Sequence, residues 1–119
     1  MEKVNLADKL SLFDEYWSPK IVGELNGQYV KVAKFKGEFP RHHHEGEDEM
    51  FLVLKGRLRI KLEDAEVVLE AGEFFIVPRG VEHQPFADEE VHAILIEPKS
   101  TLNTGNVRTD ITQEKLDRI

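Results

Sequence analysis

The sequence between Gly23 and Pro98 is divided into short apolar runs by turn signals that recur every eight to twelve residues. This spacing is typical of an all-β sandwich or barrel, in which each run forms one strand. The runs predict at least seven strands, at residues 21–25, 28–35, 50–54, 58–62, 66–69, 73–77 and 91–96. We therefore predict an all-β fold whose barrel core covers roughly residues 20–98.

Two short turns indicate hairpins within this sheet. Asn26-Gly27 suits a two-residue hairpin, because both residues tolerate positive φ. Lys55-Gly56 predicts a second hairpin, which joins the run 50–54 to a strand of alternating character. In that strand the apolar side chains are expected to point inward and the basic ones outward. The inward residues are Leu58, Ile60 and Leu62.

Short helical segments are predicted at both termini. Asn5 is a candidate N-cap for an amphipathic helix whose apolar residues recur at spacings of four, three and four. These residues are Leu6, Leu10, Phe13 and Trp17. Asp110 followed by Gln113 resembles a capping box and predicts a second helix through Ile119. With 119 residues and no linker or repeat, the chain predicts a single domain, residues 1–119.

Charge and composition exclude several classes of partner. The net charge of −7 opposes binding to nucleic acid or to an anionic membrane. No cysteine is present, so a metal ion would have to be held by His, Asp or Glu. The sequence shows no signal peptide and no apolar stretch approaching 18 residues, and we therefore expect a cytoplasmic protein.

Two runs, 50–54 and 74–77, are apolar at every position. Strands of this kind are covered on both faces. One cover is the barrel interior, and the other is a second sheet, a terminal segment or another subunit. A homodimer is therefore expected.

The segment 41–49 contains three of the five histidines. In an extended chain, His42 and His44 project from the same face, whereas His43 points the opposite way. Two imidazoles can then share one ion. Glu49 opens the apolar run that follows, and His83 comes directly after a Pro-Arg-Gly turn, so both can reach the same ion. Three imidazoles and one carboxylate leave two positions open in octahedral geometry.

The order of these residues resembles the two motifs of the cupin family. The first motif, a glycine, His-x-His, a glutamate and a glycine, corresponds to Gly37, His42, His44, Glu49 and Gly56. The second, a glycine, Pro-x-Gly and a histidine, corresponds to Gly72, Pro78, Gly80 and His83. The 15 residues between Gly56 and Gly72 are similar to the spacing in small single-domain cupins of the conserved-barrel, mannose-6-phosphate-isomerase-like type.

Two positions depart from the family pattern. Four residues separate Gly37 from His42 where the family usually has five, which allows a rival register with His43 and Glu45 as ligands. The pairing of imidazoles on one face favours the register with His42. The second motif commonly ends in an asparagine, and Ala87 stands at that position.

The resemblance implies a double-stranded β-helix, or jelly-roll barrel, that holds one divalent ion of Mn, Fe, Ni, Zn or Cu. Its ligands would be His42, His44, Glu49 and His83. The resemblance also implies a metal-dependent enzyme of the dioxygenase, decarboxylase or isomerase type, acting on a small oxygen-rich molecule. The alternative is a non-catalytic module that binds or senses a small molecule or a metal. Apart from the ligands, the sequence identifies no general base.

Other residues are weaker candidates. Three polar residues flank the ligand positions and are candidates for orienting a substrate: Arg41, Arg79 and Gln84. His92 lies within the last strand, where it is either near the metal or exposed. Four phenylalanines are candidates for a cavity wall or, equally, for core packing: Phe51, Phe74, Phe75 and Phe86.

Overall fold

The structure, a computed structural model, describes all residues from 1 to 119. It contains one short helix and seven strands, which are all paired antiparallel. Their bounds are α1 Leu6–Leu10, β1 Lys20–Leu25, β2 Gln28–Glu38, β3 Glu49–Lys55, β4 Leu58–Lys61, β5 Glu66–Leu69, β6 Phe74–Val77 and β7 Gln84–Pro98. The strand order is β1-β2-β7-β3-β6, with β4 paired to β7 and β5 paired to β4.

The first predicted hairpin is confirmed and the second is wrong. Asn26 and Gly27 adopt φ of 50° and 79° between β1 and β2. By contrast, β3 and β4 do not pair with each other, because both pair with successive parts of the long strand β7. Gly56, at φ 86°, lies where the chain crosses from one part to the next. A Cβ there would lie 2.7 Å from the carbonyl oxygen of Glu90, so the crossing requires glycine.

The barrel interior is filled by twelve buried apolar side chains from six strands, β2 to β7. In β4, Leu58 and Ile60 are fully buried. The alternate residues, Arg59 and Lys61, are only half-buried, so the predicted alternation is confirmed. Complete burial of one such apolar side chain stabilises the fold by about 1.5–3 kcal/mol. This core is the rigid support of the site described below.

The N-terminal helix is confirmed but ends earlier than its apolar pattern suggested. The Asn5 side chain accepts a hydrogen bond from the Asp8 backbone N–H at 3.0 Å, and α1 ends at Leu10. Leu10 and the following Phe13 pack on the outer face of β2 and β7 and against neighbouring residues of β3. This terminal segment is the second cover that was predicted for the run 50–54. No helix here is long and apolar enough to cross a membrane.

Trp17 does not continue the helix. It adopts φ 59°, and its ring stacks on Phe35 at 4.5 Å and packs on Phe39 at 5.0 Å. The indole Nε1 donates a hydrogen bond to the carbonyl oxygen of Lys36. A large aromatic side chain buries more area among other aromatic rings than on an exposed helix face, so tertiary packing overrides the helical spacing.

The prediction of a C-terminal helix from Asp110 is wrong, because the chain beyond β7 forms turns and irregular structure. Asn103 takes the place of the predicted cap. Its side chain accepts a hydrogen bond from the Gln113 backbone N–H and donates one to the carbonyl oxygen of Ile111. The last residue, Ile119, donates its backbone N–H to Ile21 of β1. The Asn103 bonds fix the non-helical path of the tail, and the bond of Ile119 to β1 holds its end against the barrel.

The run 74–77 lacks the second cover that its sequence predicted. β6 lies at the edge of the sheet, and Phe74 and Ile76 are 59% and 49% exposed.

A homodimer that buries this face stays a prediction. Light scattering should give the mass of two chains for the wild type and of one chain for the Phe74→Ser, Ile76→Ser double variant. One chain in both proteins would contradict it.

Candidate metal centre

A short antiparallel bridge brings two of the candidate histidines together. The backbone N–H of His42 donates to the carbonyl oxygen of His83 at 3.0 Å, and the reverse bond measures 2.9 Å. Their ring centroids lie 4.3 Å apart. His44 joins them because the backbone N–H of Gly80, in the turn before His83, donates to the His44 carbonyl oxygen at 2.7 Å.

Glu49 completes the cluster from the first position of β3. Its Oε1 lies 3.2 Å from Nε2 of His83 and 3.4 Å from Nε2 of His44. One potential ligand atom from each of His42, His44, Glu49 and His83 lies within 4.8 Å of the others, and none of the four residues is more than 4% exposed. The structure therefore brings together all four side chains that the sequence singled out, and this cluster could bind a metal ion.

The hydrogen bonds around the cluster fit a metal ion. Nδ1 of His42 donates to the carbonyl oxygen of Pro40 at 2.8 Å, and Nδ1 of His83 donates to that of Val81 at 2.9 Å. These bonds leave Nε2 of each ring free to act as a ligand. Both ring nitrogens of His44 are buried without a hydrogen-bond partner. An unpartnered buried nitrogen costs about 1–3 kcal/mol, which coordination to an ion would offset.

His43 faces the other way. Its ring nitrogens contact the carboxylates of Glu82 and Glu45, and it belongs to none of the contacts within the cluster. Glu45 is exposed. The rival register, with His43 and Glu45 as ligands, therefore does not converge on one point in this structure.

Burial and neighbouring charges set the protonation of the cluster. Burial, reinforced by repulsion from His83, lowers the pKa of His42 from 6.5 to about 4. Burial also opposes ionisation of Glu49, but the imidazoles of His44 and His83 outweigh it and hold the pKa of Glu49 well below its usual range. At neutral pH the site therefore offers a neutral imidazole and an ionised carboxylate, the forms that bind metal.

The metal-free protein should lose stability between pH 7 and pH 5 because of His42. The unfolded chain protonates this residue near pH 6.5, whereas the folded chain does so only near pH 4. The free energy of unfolding should therefore fall by about 2 kcal/mol at pH 5 through His42 alone. Urea unfolding at both pH values measures the fall, which should be smaller in His42→Gln. Subtracting the fall in His42→Gln from the fall in the wild type removes the contributions of groups that titrate alike in both proteins. An equal fall in both would contradict the lowered pKa of His42.

A cavity of about 30 Å³ adjoins the cluster. Its walls are mainly apolar and come from the N-terminal segment and from β2, β3 and β7: Trp17, Pro19, Phe35, Phe39, Phe51, Pro85 and Leu95. Its polar lining consists of His42, Glu49, Glu97 and Asn103. Small-molecule sites have this character, with apolar walls and a few placed polar groups.

Glu97 and its partner Lys31 were not among the residues predicted from the sequence. Nζ of Lys31 lies 2.6 Å from Oε1 of Glu97, and both side chains are only 2% exposed. Burial, reinforced by the carboxylate of Glu49, raises the pKa of Glu97 well above its usual range, while Lys31 opposes this shift. Strand alternation predicts that both side chains point into the barrel, because Lys31 and Glu97 continue the inward-facing series of β2 and β7.

The C-terminal tail also supports the site. Asn106 donates its backbone N–H to the carbonyl oxygen of His43 at 3.0 Å, and its side-chain oxygen accepts the His43 N–H at 2.9 Å. Gly105 lies so close that an added Cβ would be 2.2 Å from the His43 carbonyl oxygen and 2.9 Å from the ring of His42. No motif marked these residues.

The weaker candidates lie outside the cavity, with one exception. Arg79 pairs with Asp48, Gln84 donates to the carbonyl oxygen of Phe39, and Arg41 is exposed. His92 contacts Glu90 instead of the cluster. Of the four phenylalanines only Phe51 lines the cavity, since Phe74 is exposed, Phe75 packs against the core and Phe86 contacts Arg59.

Comparison with known proteins assigns the family. The model of the cupin domain matches residues 28–97, which is more than half of the chain. The chain belongs to the cupin family. This cupin is similar to a cupin-2 domain protein from Shewanella frigidimarina NCIMB 400, with 44% identity and a TM-score of 0.80 over 81% of this chain and 94% of that one. The fold is therefore the expected all-β jelly roll.

Two further proteins are similar to this cupin. Protein NMB1881 from Neisseria meningitidis is 27% identical, with a TM-score of 0.75 over 82% of this cupin and 100% of that chain. The uncharacterized protein YdbB from Bacillus subtilis is 41% identical over 64 residues, which are 53% of this cupin. The match spans 57% of the length of that relative.

Proposed function

We propose that this cupin binds one divalent transition-metal ion through His42, His44, Glu49 and His83, and that it is a metal-dependent enzyme acting on a small oxygen-rich molecule. One observation carries the proposal. His44 has two buried ring nitrogens without a hydrogen-bond partner, within a cluster of four potential ligands. An ion bound at Nε2 would replace the interaction with water that this nitrogen has lost.

The donor set supports Mn, Fe, Ni, Zn or Cu, and the choice among them follows affinity and supply. The ligands carry one negative charge, so the bound ion would keep a net positive charge and supply a Lewis-acid or redox centre. The reaction types that we propose are those of a dioxygenase, a decarboxylase or an isomerase. The net charge of −7 supports a metal ion and a small molecule as partners, in preference to nucleic acid or an anionic membrane.

The residues of the chain itself would orient the ligands and exclude water. The carbonyl oxygens of Pro40 and Val81 fix the rings of His42 and His83. Trp17 and the phenylalanine walls make the lining of the cavity mainly apolar, and electrostatic interactions beside such walls are stronger than in bulk water.

A second candidate function is a non-catalytic module that binds or senses a metal or a small molecule. The enclosure of the site favours it, because the four candidate ligands are almost fully buried and the cavity has a volume of only about 30 Å³. Such a site retains an ion well, but it admits a large substrate only after the walls move.

Metal analysis and turnover distinguish the two functions. The protein is purified without a nickel column, and its metal content is compared with that of His44→Ala. Oxygen consumption and turnover are then measured with keto acids, diketones, phenols and sugar phosphates. One ion per chain and metal-dependent turnover support the enzyme, whereas one ion and no turnover support the binding module. Absence of a bound ion, even after incubation with each of the five candidate metals, overturns the metal-dependent enzyme and the metal-binding module, and leaves a module that binds a small molecule without metal.

A further inference from the structure

Glu97 is the one polar residue of the cavity that has a free hydrogen-bonding atom and no place in the proposed metal site. His42 and Glu49 are candidate ligands of the ion. Asn103 uses both ends of its side-chain amide to bind the backbone of the C-terminal tail. By contrast, Oε2 of Glu97 is buried and has no donor group as a partner, although its carboxyl group lies beside that of Glu49.

Lys31 fixes the orientation of this carboxylate. Its Nζ lies 2.6 Å from Oε1 of Glu97. One carboxylate oxygen therefore has Lys31 as its partner, whereas Oε2 does not. The two residues lie on the paired strands β2 and β7, and both are 1% exposed. The carboxylate is therefore held in place before any ligand arrives, which lowers the entropy lost on binding.

Packing alone does not explain a lysine and a glutamate at these positions. A buried ion pair is often no more stabilising than two well-packed apolar side chains of similar volume. The neighbouring residues along the inner faces of β2 and β7 are apolar: Ala33, Phe35, Ala93 and Leu95. Glu97 is the charged member of this series that lines the cavity, beside the apolar Phe35 and Leu95, which points to a role for its carboxylate there.

We propose that Glu97 contacts the ligand of this cupin and selects molecules that carry a hydroxyl group. In this proposal, which rests on the proposed function, one oxygen of the ligand binds the ion and a hydroxyl group forms a hydrogen bond with Oε2 of Glu97. A cavity of about 30 Å³ holds about two water-sized groups, so the part of the ligand inside it is little more than the hydroxyl group and its carbon. The ligand class is a small hydroxy acid.

Glycolate and fluoroacetate form a suitable pair of probes, because they differ in one hydroxyl group that fluorine replaces. Their dissociation constants are measured on the Mn²⁺-loaded protein by water-proton relaxation. The wild type should prefer glycolate. This preference should fall about tenfold in the Lys31→Met, Glu97→Leu double variant, which keeps the side-chain volumes but lacks the hydrogen bond. The preference of the wild type is divided by that of the double variant. Tighter binding of glycolate to the ion is present in both proteins and therefore cancels in this ratio.

Control variants separate this proposal from the metal site and from general damage. Glu97→Gln keeps an oxygen for Nζ of Lys31 and presents its NH2 group to the cavity, where it can still donate to a hydroxyl oxygen, so it should keep part of the preference. Lys34→Met removes a buried lysine of β2 that binds the carbonyl oxygen of Phe13 outside the cavity, and it should leave the preference unchanged. Each variant is first assayed for one Mn²⁺ ion per chain.

The outcomes are distinct. A wild type that binds none of the five candidate ions overturns the proposed function, and one that binds another of them in place of Mn²⁺ is assayed with that ion. A loaded wild type that does not bind glycolate, or an unchanged preference in the double variant, overturns the role of Glu97 and leaves the metal site intact. Loss of Mn²⁺ from the double variant also overturns it, because the pair would then serve to position Glu49.

Discussion

His44→Ala should remove the bound ion, whereas His43→Ala should retain it. His44 offers its imidazole to the cluster, and its two ring nitrogens have no other partner. Because substitutions of residues that merely support a metal ligand already reduce affinity 10- to 100-fold, loss of a ligand should reduce it by more than about 100-fold. Elemental analysis after dialysis, together with titration by Mn²⁺ or Zn²⁺, measures the effect.

His43→Ala is the matched control, because it removes the same side chain from the adjacent position. His43 contacts Glu45 and Glu82 at the surface and offers nothing to the cluster. Its affinity for the ion should change little. Equal losses of metal in the two variants would contradict the assigned register.

Gly105→Ala should destabilise the protein and disturb the metal site together. The new Cβ would lie 2.2 Å from the carbonyl oxygen of His43, so the tail or the histidine segment must move. Positive φ adds about 1–2 kcal/mol of backbone strain at this residue. We expect a total loss above about 3 kcal/mol, or a fall in Tm of more than about 10 °C. Thermal unfolding and metal titration check the two effects.

Gly72→Ala separates backbone strain from the close approach. Gly72 also has positive φ, at 87°, but a Cβ there would meet no atom within 4 Å. This variant should lose only about 1–2 kcal/mol and should bind metal as the wild type does. If the two alanine variants behave alike, the contact between the tail and His42 does not matter for the site.

The candidate ligands were predictable because motif spacing and strand alternation are local properties. His42 and His44 lie two residues apart, and an extended chain places both on one face. The support of the site was less predictable. Gly105 and Asn106 contact His43 from more than 60 residues away, and nothing in their own neighbourhood marks them. Glu97 was missed because its charge alone suggested the surface, although its place in the alternation of β7 indicated the interior.

The errors in secondary structure have a common physical origin, which is that distant contacts outweigh local patterns. Trp17 matched the helical spacing, but its ring packs on Phe35 and Phe39. Asp110 matched a capping box, but Asn103 binds the backbone that the helix would have used. Gly56 matched a hairpin turn, but the strands on both sides of it pair with β7 and not with each other.

The position of Trp17 has a practical consequence. It is the only tryptophan in the chain, and it lines the same cavity as His42. Its intrinsic fluorescence is therefore a built-in optical reporter of events at the cluster. A paramagnetic ion such as Cu²⁺ should quench the indole emission, whereas closed-shell Zn²⁺ should leave it bright, so metal titrations can be followed in unlabelled protein.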